Sequence, residues 1–321
     1  MKKYILLSIF LAVTTVTVPL LTLYAITPKT ASEEKATPEN DLTGDSISVY
    51  FPEEEKTEEL SFRDYIIGVV AAEMPAEFHS EALSALACAA ATLARKNMEE
   101  GGDESIGGAV ISADHRKHQA FMTKEEMKEK WGSGFPAYYE KLCTAVDKAI
   151  EYSLTFEGEL IIAAYHSMSA GMTESSENVW AKGLPYLVSV ESAGDLISPR
   201  IDSEVIVSFD EFSSLMKKEG AELPDKKELW LGRSEYTDAG YLKEIEIGGK
   251  VFSGQQLRDI FSLRSASIKA GINSSGVVFY VKGYGHGVGL SQYGADYLAR
   301  LGYSWEEILK HYYTGVEIEI I

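Results

Sequence analysis

The residue whose type and surroundings most directly suggest chemistry is Glu73, a carboxylate inside the apolar stretch "GVVAAEMPAEFH". If the residues before it are helical, it shares one face with apolar residues at spacings of four, three and four: Phe62, Ile66 and Val69. It would then lie in the last turn before Pro75. Loss of solvation raises the pKa of a carboxyl group toward the range that suits a general acid. The stretch predicts an acid catalyst; a glutamate that turns outward or pairs with an arginine is the alternative.

A second candidate is the stretch "GYGHGVGLSQYGA", where glycine recurs at every second position from 283 to 289. In a strand, this spacing would leave one face without side chains and place His286 on the other. Such a bare face usually receives a ligand or another backbone. Ser291 would cap the following helix, whose free N–H groups point back toward the glycines. We interpret the stretch as the floor of a cleft; tight β-packing around a core histidine is the alternative.

Between these two stretches, "AYHSMSAGMTESSENVW" is dense in short hydrogen-bonding side chains and ends on Trp180. Such a loop suits sugar hydroxyl groups, with the tryptophan as a stacking platform. Its candidate ligand-binding residues are His166, Ser167, Ser169, Thr173, Glu174 and Glu177. Ser167 is not interpreted as a nucleophile activated by His166, because adjacent strand residues face opposite ways and no G-x-S-x-G elbow is present.

The remaining histidines and the cysteines give weaker signals. His115 and His118 are three residues apart, but no further ligand follows at a convincing spacing, so we expect a solvated loop and no metal or other cofactor. Cys88 lies in an alanine-rich run and is expected to pack as a small core residue. A disulfide to Cys143 stays open, because the expected compartment would permit one.

Composition narrows the class of partner. The chain has 321 residues, of which 45% are hydrophobic and 25% charged, as in ordinary globular proteins. A formal net charge of −19 argues against a nucleic-acid partner and against docking on an anionic membrane surface. An uncharged or sparsely charged polymer is compatible with this charge.

The chain divides into three segments by composition. Residues 1–28 contain an uncharged stretch long enough to span a bilayer, preceded by Lys2 and Lys3, which predicts an anchor with a cytoplasmic N-terminus. A cleaved signal peptide is the alternative. Residues 29–45 form an acidic linker without hydrophobic periodicity. Residues 46–321 are predicted to be one domain outside the cytoplasm.

Helices and strands mix in this domain without strict βαβ alternation, which predicts an α+β fold. "SISVYF" is the first predicted strand, and an alanine-rich helix ends at a double glycine. Two hairpins are predicted to turn at residues 157–158 and 248–249. "SWEEILKHYYTG" is predicted to be a helix with Ser304 and Glu307 as a capping box.

Taken in order, "YIIGVVAAEMPAEFHSEALSALACAAATLA", "HSMSAGMTESSENVW" and "GYGHGVGLSQYGA" resemble the stage II sporulation protein D (SpoIID/LytB) family. The stretch "LRDIFSLRSASI" between the last two fits as well. The resemblance covers about residues 46–321. It implies a membrane-anchored lytic transglycosylase that cleaves peptidoglycan glycan strands, preferring strands stripped of stem peptides. It also implies action during engulfment of the forespore, beside stage II sporulation proteins P and M.

The family's "AAEMP" glutamate is its catalytic acid, and this position is Glu73. One carboxyl can serve a lytic transglycosylase, because the attacking hydroxyl belongs to the same sugar, whereas hydrolases usually need a second carboxylate. The residues implied to bind or orient the glycan are His286, Ser291, Gln292, Tyr293, Thr173, Glu174, His166 and Ser167.

Departures from the family pattern leave other functions open. Leu86, Ala91 and Leu93 replace a glutamine, an arginine and a tyrosine that members commonly have. A weakly catalytic glycan-binding or scaffolding module is therefore one alternative. A water-using muramidase is another, with Glu174 as its second carboxylate. Some members bind zinc near residues 114–120, but no cysteine occurs there in this chain, so the metal is not carried over.

Overall fold

The computed structural model describes residues 46–114, 117–180 and 182–321. The predicted anchor (1–28), the predicted linker (29–45) and His115 lie outside the described residues. Within the described ranges, no helix is long and apolar enough to cross a membrane.

Helices and strands alternate irregularly along the described residues. The α-helices are α1 (Phe62–Glu73), α2 (Ser80–Glu100), α3 (Lys124–Trp131), α4 (Phe135–Ala149), α5 (Phe209–Lys218), α6 (Gly254–Ile260), α7 (Gln292–Arg300) and α8 (Trp305–Tyr312). The strands are β1 (Ser46–Phe51), β2 (Lys56–Ser61), β3 (Ile111–Ser112), β4 (Tyr152–Phe156), β5 (Glu159–Leu160), β6 (Tyr165–His166), β7 (Asp202–Val207), β8 (Leu231–Tyr236), β9 (Leu242–Ile247), β10 (Lys250–Ser253), β11 (Ser267–Ile272), β12 (Val277–Lys282), β13 (Leu290–Ser291) and β14 (Glu317–Ile320). The predicted α+β class is confirmed.

The alanine-rich helix α2 lies at the centre of the first hydrophobic core. Alanine has the highest helix propensity, and its small side chain lets α1, α4, α7 and α8 pack closely around α2. The helix begins after His79, whose Nδ1 accepts a hydrogen bond from the N–H of Glu81, and ends at Gly101, where φ is +86°. Cys88 is buried in this core as predicted, and Cys88 and Cys143 are free thiols.

The buried residues of a second hydrophobic core fall between positions 207 and 281, in the part of the chain that runs from β7 to β12. Aromatic rings supply much of its packing. The sheets β11–β12–β7 and β10–β9–β8 surround α5 and α6. Phe212 stacks on Trp230 at 5.6 Å and on Phe261 at 5.5 Å between ring centroids. This core supports α6 and the strand β12 that leads into the glycine-rich stretch.

The local turn and cap predictions are confirmed. The turn at 157–158 has φ angles of +54° and +82°, and the turn at 248–249 has +56° and +79°. Positive φ at both central positions matches the right-handed twist of a hairpin. Ser304 and Glu307 form the predicted capping box of α8.

The prediction that residues 283–289 form a strand is wrong. All four glycines have φ between +73° and +109°, which is incompatible with an extended strand, so the stretch is a loop. The expectation of close backbone approach is correct. A Cβ on Gly285 would lie 2.8 Å from the Cβ of His166, and one on Gly289 would lie 2.1 Å from the carbonyl oxygen of Ala164.

A short parallel pairing joins the two conspicuous stretches. Leu290 lies opposite Tyr165, and Ser291 lies opposite His166, where β13 pairs with β6. The end of the glycine-rich loop is thereby fixed beside the polar loop that follows β6.

Candidate active site

Glu73 is the last residue of α1. The predicted apolar face of this helix is the face that packs into the core. The apolar residues on its face are fully buried: Phe62, Ile66 and Val69. The helix ends here because Met74 is extended before Pro75. The half-buried carboxylate accepts hydrogen bonds from two distant segments, at 3.2 Å from the N–H of Ala120 and at 2.9 Å from Nε2 of Gln292. Tertiary contacts therefore fix its orientation.

Glu73 lines a cavity of about 720 Å³, a size typical of ligand sites. Its polar and aromatic lining consists of Glu73, Asn97, Lys117, His118, Gln119, Tyr165, His166, Ser167, Trp180, Arg258, Tyr284, His286 and Gln292. Among these described residues Glu73 is the one carboxylate. The cavity thus combines one acid with amides, hydroxyls, imidazoles and aromatic rings.

A buried phenol–amide–phenol network lies close to Glu73. The hydroxyl of Tyr65 donates to Oε1 of Gln119 at 2.9 Å, and Nε2 of Gln119 donates to the hydroxyl oxygen of Tyr165 at 2.9 Å. Burial first, and then the charge of Glu73, raises the pKa of both tyrosines. Both phenols therefore stay neutral, and Gln119 fixes the positions of their oxygens.

Two neighbouring imidazoles, with ring planes inclined by 56°, form another wall of the cavity. The rings of His166 and His286 are 5.7 Å apart. Nδ1 of His166 lies 3.1 Å from the carbonyl oxygen of Val288, and Nδ1 of His286 accepts from the Val288 N–H at 3.0 Å. Burial lowers the pKa of His166 to about 4 and, with the charges of His166 and Arg258, that of His286 to about 3. Both rings are neutral at pH 7, and the hydrogen bond at Nδ1 makes Nε2 of His166 an acceptor.

The cavity brings together five of the predicted site residues from four segments: Glu73, His166, Ser167, His286 and Gln292. Trp180 also lines it, with its ring 5.9 Å from that of His286, in a position to stack on a sugar. Nε2 of His166 is buried and has no hydrogen-bond partner within the described part of the chain.

Ser291 and Tyr293 lie behind the cavity wall rather than in its lining. Ser291 is completely buried; its hydroxyl donates to Asp195 at 2.6 Å and accepts from the N–H of Gly294, which is the predicted helix cap. Tyr293 packs its ring edge-on against Phe78 at 5.0 Å. Both residues support the start of α7, which carries Gln292, so direct contact with a ligand in this cavity is not favoured.

Thr173 and Glu174 are also buried outside the cavity. The Thr173 hydroxyl accepts from the N–H of Val190 at 2.9 Å. The Glu174 carboxylate accepts three hydrogen bonds, from the N–H of Ser175, from Nδ2 of Asn178 and from the hydroxyl of Thr237. These groups are occupied by bonds within their own loop and to Thr237, which argues against the predicted sugar contacts and against Glu174 as a second catalytic carboxylate.

Sequence analysis missed several residues that line or support the cavity. Tyr65 precedes Glu73 by eight residues and therefore shares its helix face, a signal that was available in the sequence. Gln119 comes from a loop that no motif marks. Arg258 comes from α6 and lies in "LRDIFSLRSASI", a stretch that resembles the family but to which no site role was assigned. His118 is half-buried in the lining, although the loop around it was predicted to be solvated. No group of three potential metal ligands occurs among the described residues.

The departures from the family pattern fall in two environments. Leu86 and Ala91 are completely buried in the first core. Leu93 lines the cavity, where it presents an aliphatic surface in place of a phenol. Two of the three departures thus concern packing, and the third changes the cavity wall.

Fold and site together define an α+β protein with a cleft built around a single carboxylate. The family model described as stage II sporulation protein (SpoIID) matches residues 51–156. Stage II sporulation protein D of Bacillus amyloliquefaciens is 36% identical over 275 residues, which cover 85% of this chain and 78% of that protein. The protein of the same name from Bacillus subtilis (strain 168) is 34% identical over 274 residues, with the same coverage of 85% and 78%.

The chain belongs to the stage II sporulation protein D family, and the resemblance identified in the sequence is confirmed. A more distant relative is the amidase enhancer of Bacillus subtilis (strain 168), 29% identical over 230 residues. That match covers 54% of this chain and 32% of the amidase enhancer.

Proposed function

We propose that this protein is a peptidoglycan lytic transglycosylase in which Glu73 acts first as acid and then as base. The observation that carries this proposal is the single carboxylate of the cavity: among the lining residues described, every other ionisable group is a cation, an imidazole or a phenol. Enzymes that hydrolyse glycosidic bonds with water usually place two carboxylates across the bond. One carboxyl suffices when the nucleophile is a hydroxyl of the sugar itself.

In this reaction the protonated Glu73 donates its proton to the glycosidic oxygen as the bond between that oxygen and muramyl C1 breaks. The C6 hydroxyl of the same muramyl residue then attacks C1, and the Glu73 carboxylate accepts the hydroxyl proton. A 1,6-anhydro ring forms, no water is consumed, and the acid is regenerated. The hydrogen bonds from Ala120 and Gln292 hold each oxygen of Glu73 in a fixed direction through both proton transfers.

Three neutral groups in the cavity lining suit the rings and hydroxyl groups of a sugar. The Trp180 ring offers a stacking surface, Ser167 offers a hydroxyl, and Nε2 of His166 offers an acceptor that lacks a partner among the described residues. Sugars are commonly recognised by such a combination of an aromatic face and directional hydrogen bonds. We expect these three groups to orient the muramyl ring.

The biological setting is proposed by relation to the family. Residues 1–28 would anchor the chain in the cell membrane, with the domain outside the cytoplasm. The enzyme would remodel septal wall during engulfment, on strands stripped of stem peptides and beside stage II sporulation proteins P and M. The related proteins named for sporulation stage II and for amidase enhancement support a role in sporulation or cell-wall work.

A glycan-binding module without strong catalysis is the second candidate, because Leu93 replaces a family tyrosine in the cavity wall. The two functions differ in product formation. A binding module would retain glycan strands without shortening them.

Mass spectrometry of digested peptide-free glycan strands tests the proposal. The native chain is expected to release fragments ending in 1,6-anhydromuramic acid, one water lighter than hydrolytic ends. Glu73→Gln is expected to release none, whereas Glu228→Gln, an exposed glutamate outside the cavity, serves as the matched control and should act like the native chain. Reducing ends, or products that persist in Glu73→Gln, would overturn the proposal.

A further inference from the structure

Arg258 is a cation in the cavity lining that lacks a compensating ion pair. It lies in the last turn of α6 and is half-buried beside His286 and Tyr284. Within the three described ranges its guanidinium makes no hydrogen bond and no salt bridge. By contrast, Arg63 and Arg300 each bond a carboxylate, Asp147 and Asp296 respectively.

Arg258 is partly removed from water, and no carboxylate of the described residues forms an ion pair with it. Burial lowers the pKa of Arg258, while the charges of Asp259 and Tyr284 act in the opposite direction. Arg258 and His286 line the same cavity, and the charge of Arg258 contributes to the lowered pKa of His286. A partly desolvated cation is stabilised by an opposite charge with matching hydrogen-bond geometry. A guanidinium presents its donors as a planar fork that suits a carboxylate.

The charge of the cavity contrasts with the charge of the chain. The chain carries a net charge of −19, yet the cavity lining contains Lys117 and Arg258 against the single carboxylate of Glu73. A smaller cavity of about 420 Å³ between β7, β11 and β12 has a balanced lining instead. Its charged residues are Asp202, Glu204, Lys269 and Lys282. Excess positive charge is thus a local feature of the Glu73 cavity.

A glycan strand of peptidoglycan offers one suitable anion per muramyl residue. The lactyl group of that sugar ends in a carboxyl carbon. While the stem peptide is attached, this carbon belongs to a neutral amide; once the peptide is removed, it becomes a free carboxylate with two acceptor oxygens. Only the stripped form can make a charged, bidentate pair with a guanidinium.

We propose that Arg258 binds the free lactyl carboxylate of a stripped muramyl residue and so selects strands without stem peptides. This assignment rests on the proposed function, because it takes a glycan strand as the occupant of the cavity. Arg258 is then a specificity-determining residue that contacts substrate at some distance from the bond that breaks.

The test compares two substrates with two variants of the full chain. One substrate is stripped glycan with free lactyl carboxylates; the other is the same glycan after conversion of these carboxylates to methylamides. Arg258→Gln is expected to lower kcat/KM on the carboxylate strands about tenfold to a hundredfold, the range for a charge-assisted hydrogen bond, and to change the methylamide strands little. Arg233→Gln makes the same charge change at an exposed residue paired with Glu235 and should leave both rates unchanged.

Equal losses of Arg258→Gln on both substrates, or no loss on either, would overturn the assignment. Arg258→Lys provides a second variant: it keeps the charge but not the fork, and is expected to retain preference for carboxylate strands at an intermediate rate. Urea unfolding of each variant establishes that it is folded before rates are compared.

A binding measurement separates this proposal from the proposed function. Retention of both glycans on the Glu73→Gln chain, with and without Arg258→Gln, reports carboxylate recognition when no bond is cleaved. If the native chain releases no product but Glu73→Gln still prefers carboxylate strands through Arg258, the transglycosylase assignment fails and the assignment of Arg258 stands. If neither glycan is preferred, the assignment of Arg258 fails whatever the native chain releases.

Discussion

Glu73 and Glu174 are both glutamates whose carboxylates accept hydrogen bonds from protein donors. They differ in whether a ligand can reach the carboxylate. Glu73 is half-buried, lines a cavity of about 720 Å³ and accepts bonds from Ala120 and Gln292. Glu174 is 1% exposed and accepts bonds from Ser175, Asn178 and Thr237. The first faces space that a ligand can enter, whereas the second is enclosed by its own donors.

The difference separates a reacting carboxylate from a structural one. A catalytic acid must be able to reach a substrate atom, so its remaining surface has to face a cavity. A structural carboxylate replaces water by protein donors, and its loss leaves those donors unsatisfied. Glu174 is the more buried of the two, and the accessible surface of Glu73 faces the cavity, which is the feature that a catalytic role requires.

The largest expected effect is on activity at Glu73. Glu73→Gln keeps the shape of the side chain; its oxygen can still accept from the Ala120 N–H, and its NH2 can donate to the Gln292 amide once that amide turns to present its oxygen. The transferable proton is removed, so the rate of strand cleavage should fall at least about a thousandfold. Urea unfolding should give nearly the native midpoint. If Glu73→Gln cleaves strands within tenfold of the native rate, Glu73 is not the catalytic acid, and the functional difference between Glu73 and Glu174 is contradicted.

The next effect is on stability at Glu174. Glu174→Leu removes the acceptor of three donors, on half-buried Ser175 and Thr237 and on exposed Asn178, and the free energy of unfolding should fall by about 2 kcal/mol. Activity per folded molecule should stay within a few-fold of native at a temperature well below the midpoint. A hundredfold loss of activity in a fully folded Glu174→Leu chain would restore Glu174 as a second catalytic carboxylate.

Acid pH should lower the free energy of unfolding through His166, which lines the same cavity as Glu73. Burial lowers the pKa of His166 to about 4, against an ordinary value near 6.5. Between pH 6.5 and about 4, His166 binds a proton in the unfolded chain but not in the folded chain. The stabilisation present above pH 6.5 is therefore lost as pH falls to about 4. One histidine contributes about 3 kcal/mol of this loss.

Urea unfolding at pH 7.0, 5.5 and 4.5 measures this dependence. His166→Asn removes the titrating group, so its stability should vary less with pH than that of the native chain, whatever its absolute value. Parallel pH profiles for the two chains would mean that His166 is not held neutral by the cavity wall.

Local signals explain which features the sequence predicted. The face of α1 followed from apolar residues at helical spacing, and the hairpin turns followed from Glu-Gly and Gly-Gly pairs that tolerate positive φ. These features depend on neighbours within a few residues. The same holds for the capping box of Ser304 and Glu307.

Features that depend on distant neighbours could not be predicted in this way. Alternating glycines suggest a bare strand face, but the same spacing also allows successive left-handed turns, and only packing against residues 164–169 decides between them. Thr173 and Glu174 have the composition of a sugar-binding loop, yet their side-chain oxygens accept hydrogen bonds from other protein groups, such as the Val190 N–H and the Asn178 amide. Arg258 lies in the family-like stretch "LRDIFSLRSASI", but that stretch alone does not show that α6 borders the cavity.

The smallest expected effect sharpens how Glu73 is held. Gln292 is 4% exposed and donates to Oε2 of Glu73 at 2.9 Å, so Gln292→Met should let the carboxyl group rotate while preserving side-chain volume. We expect kcat to fall about tenfold with KM nearly unchanged, because the bond positions the acid rather than the sugar. Gln255→Met is the matched control: it removes a similar bond to a carboxylate, that of Asp259, on the surface of α6. If KM rises instead while kcat stays native, Gln292 contacts the glycan directly. The Ala120 N–H would then be the bond that orients Glu73. Glu73 would in that respect resemble Glu174, whose orientation does not depend on any group that contacts substrate.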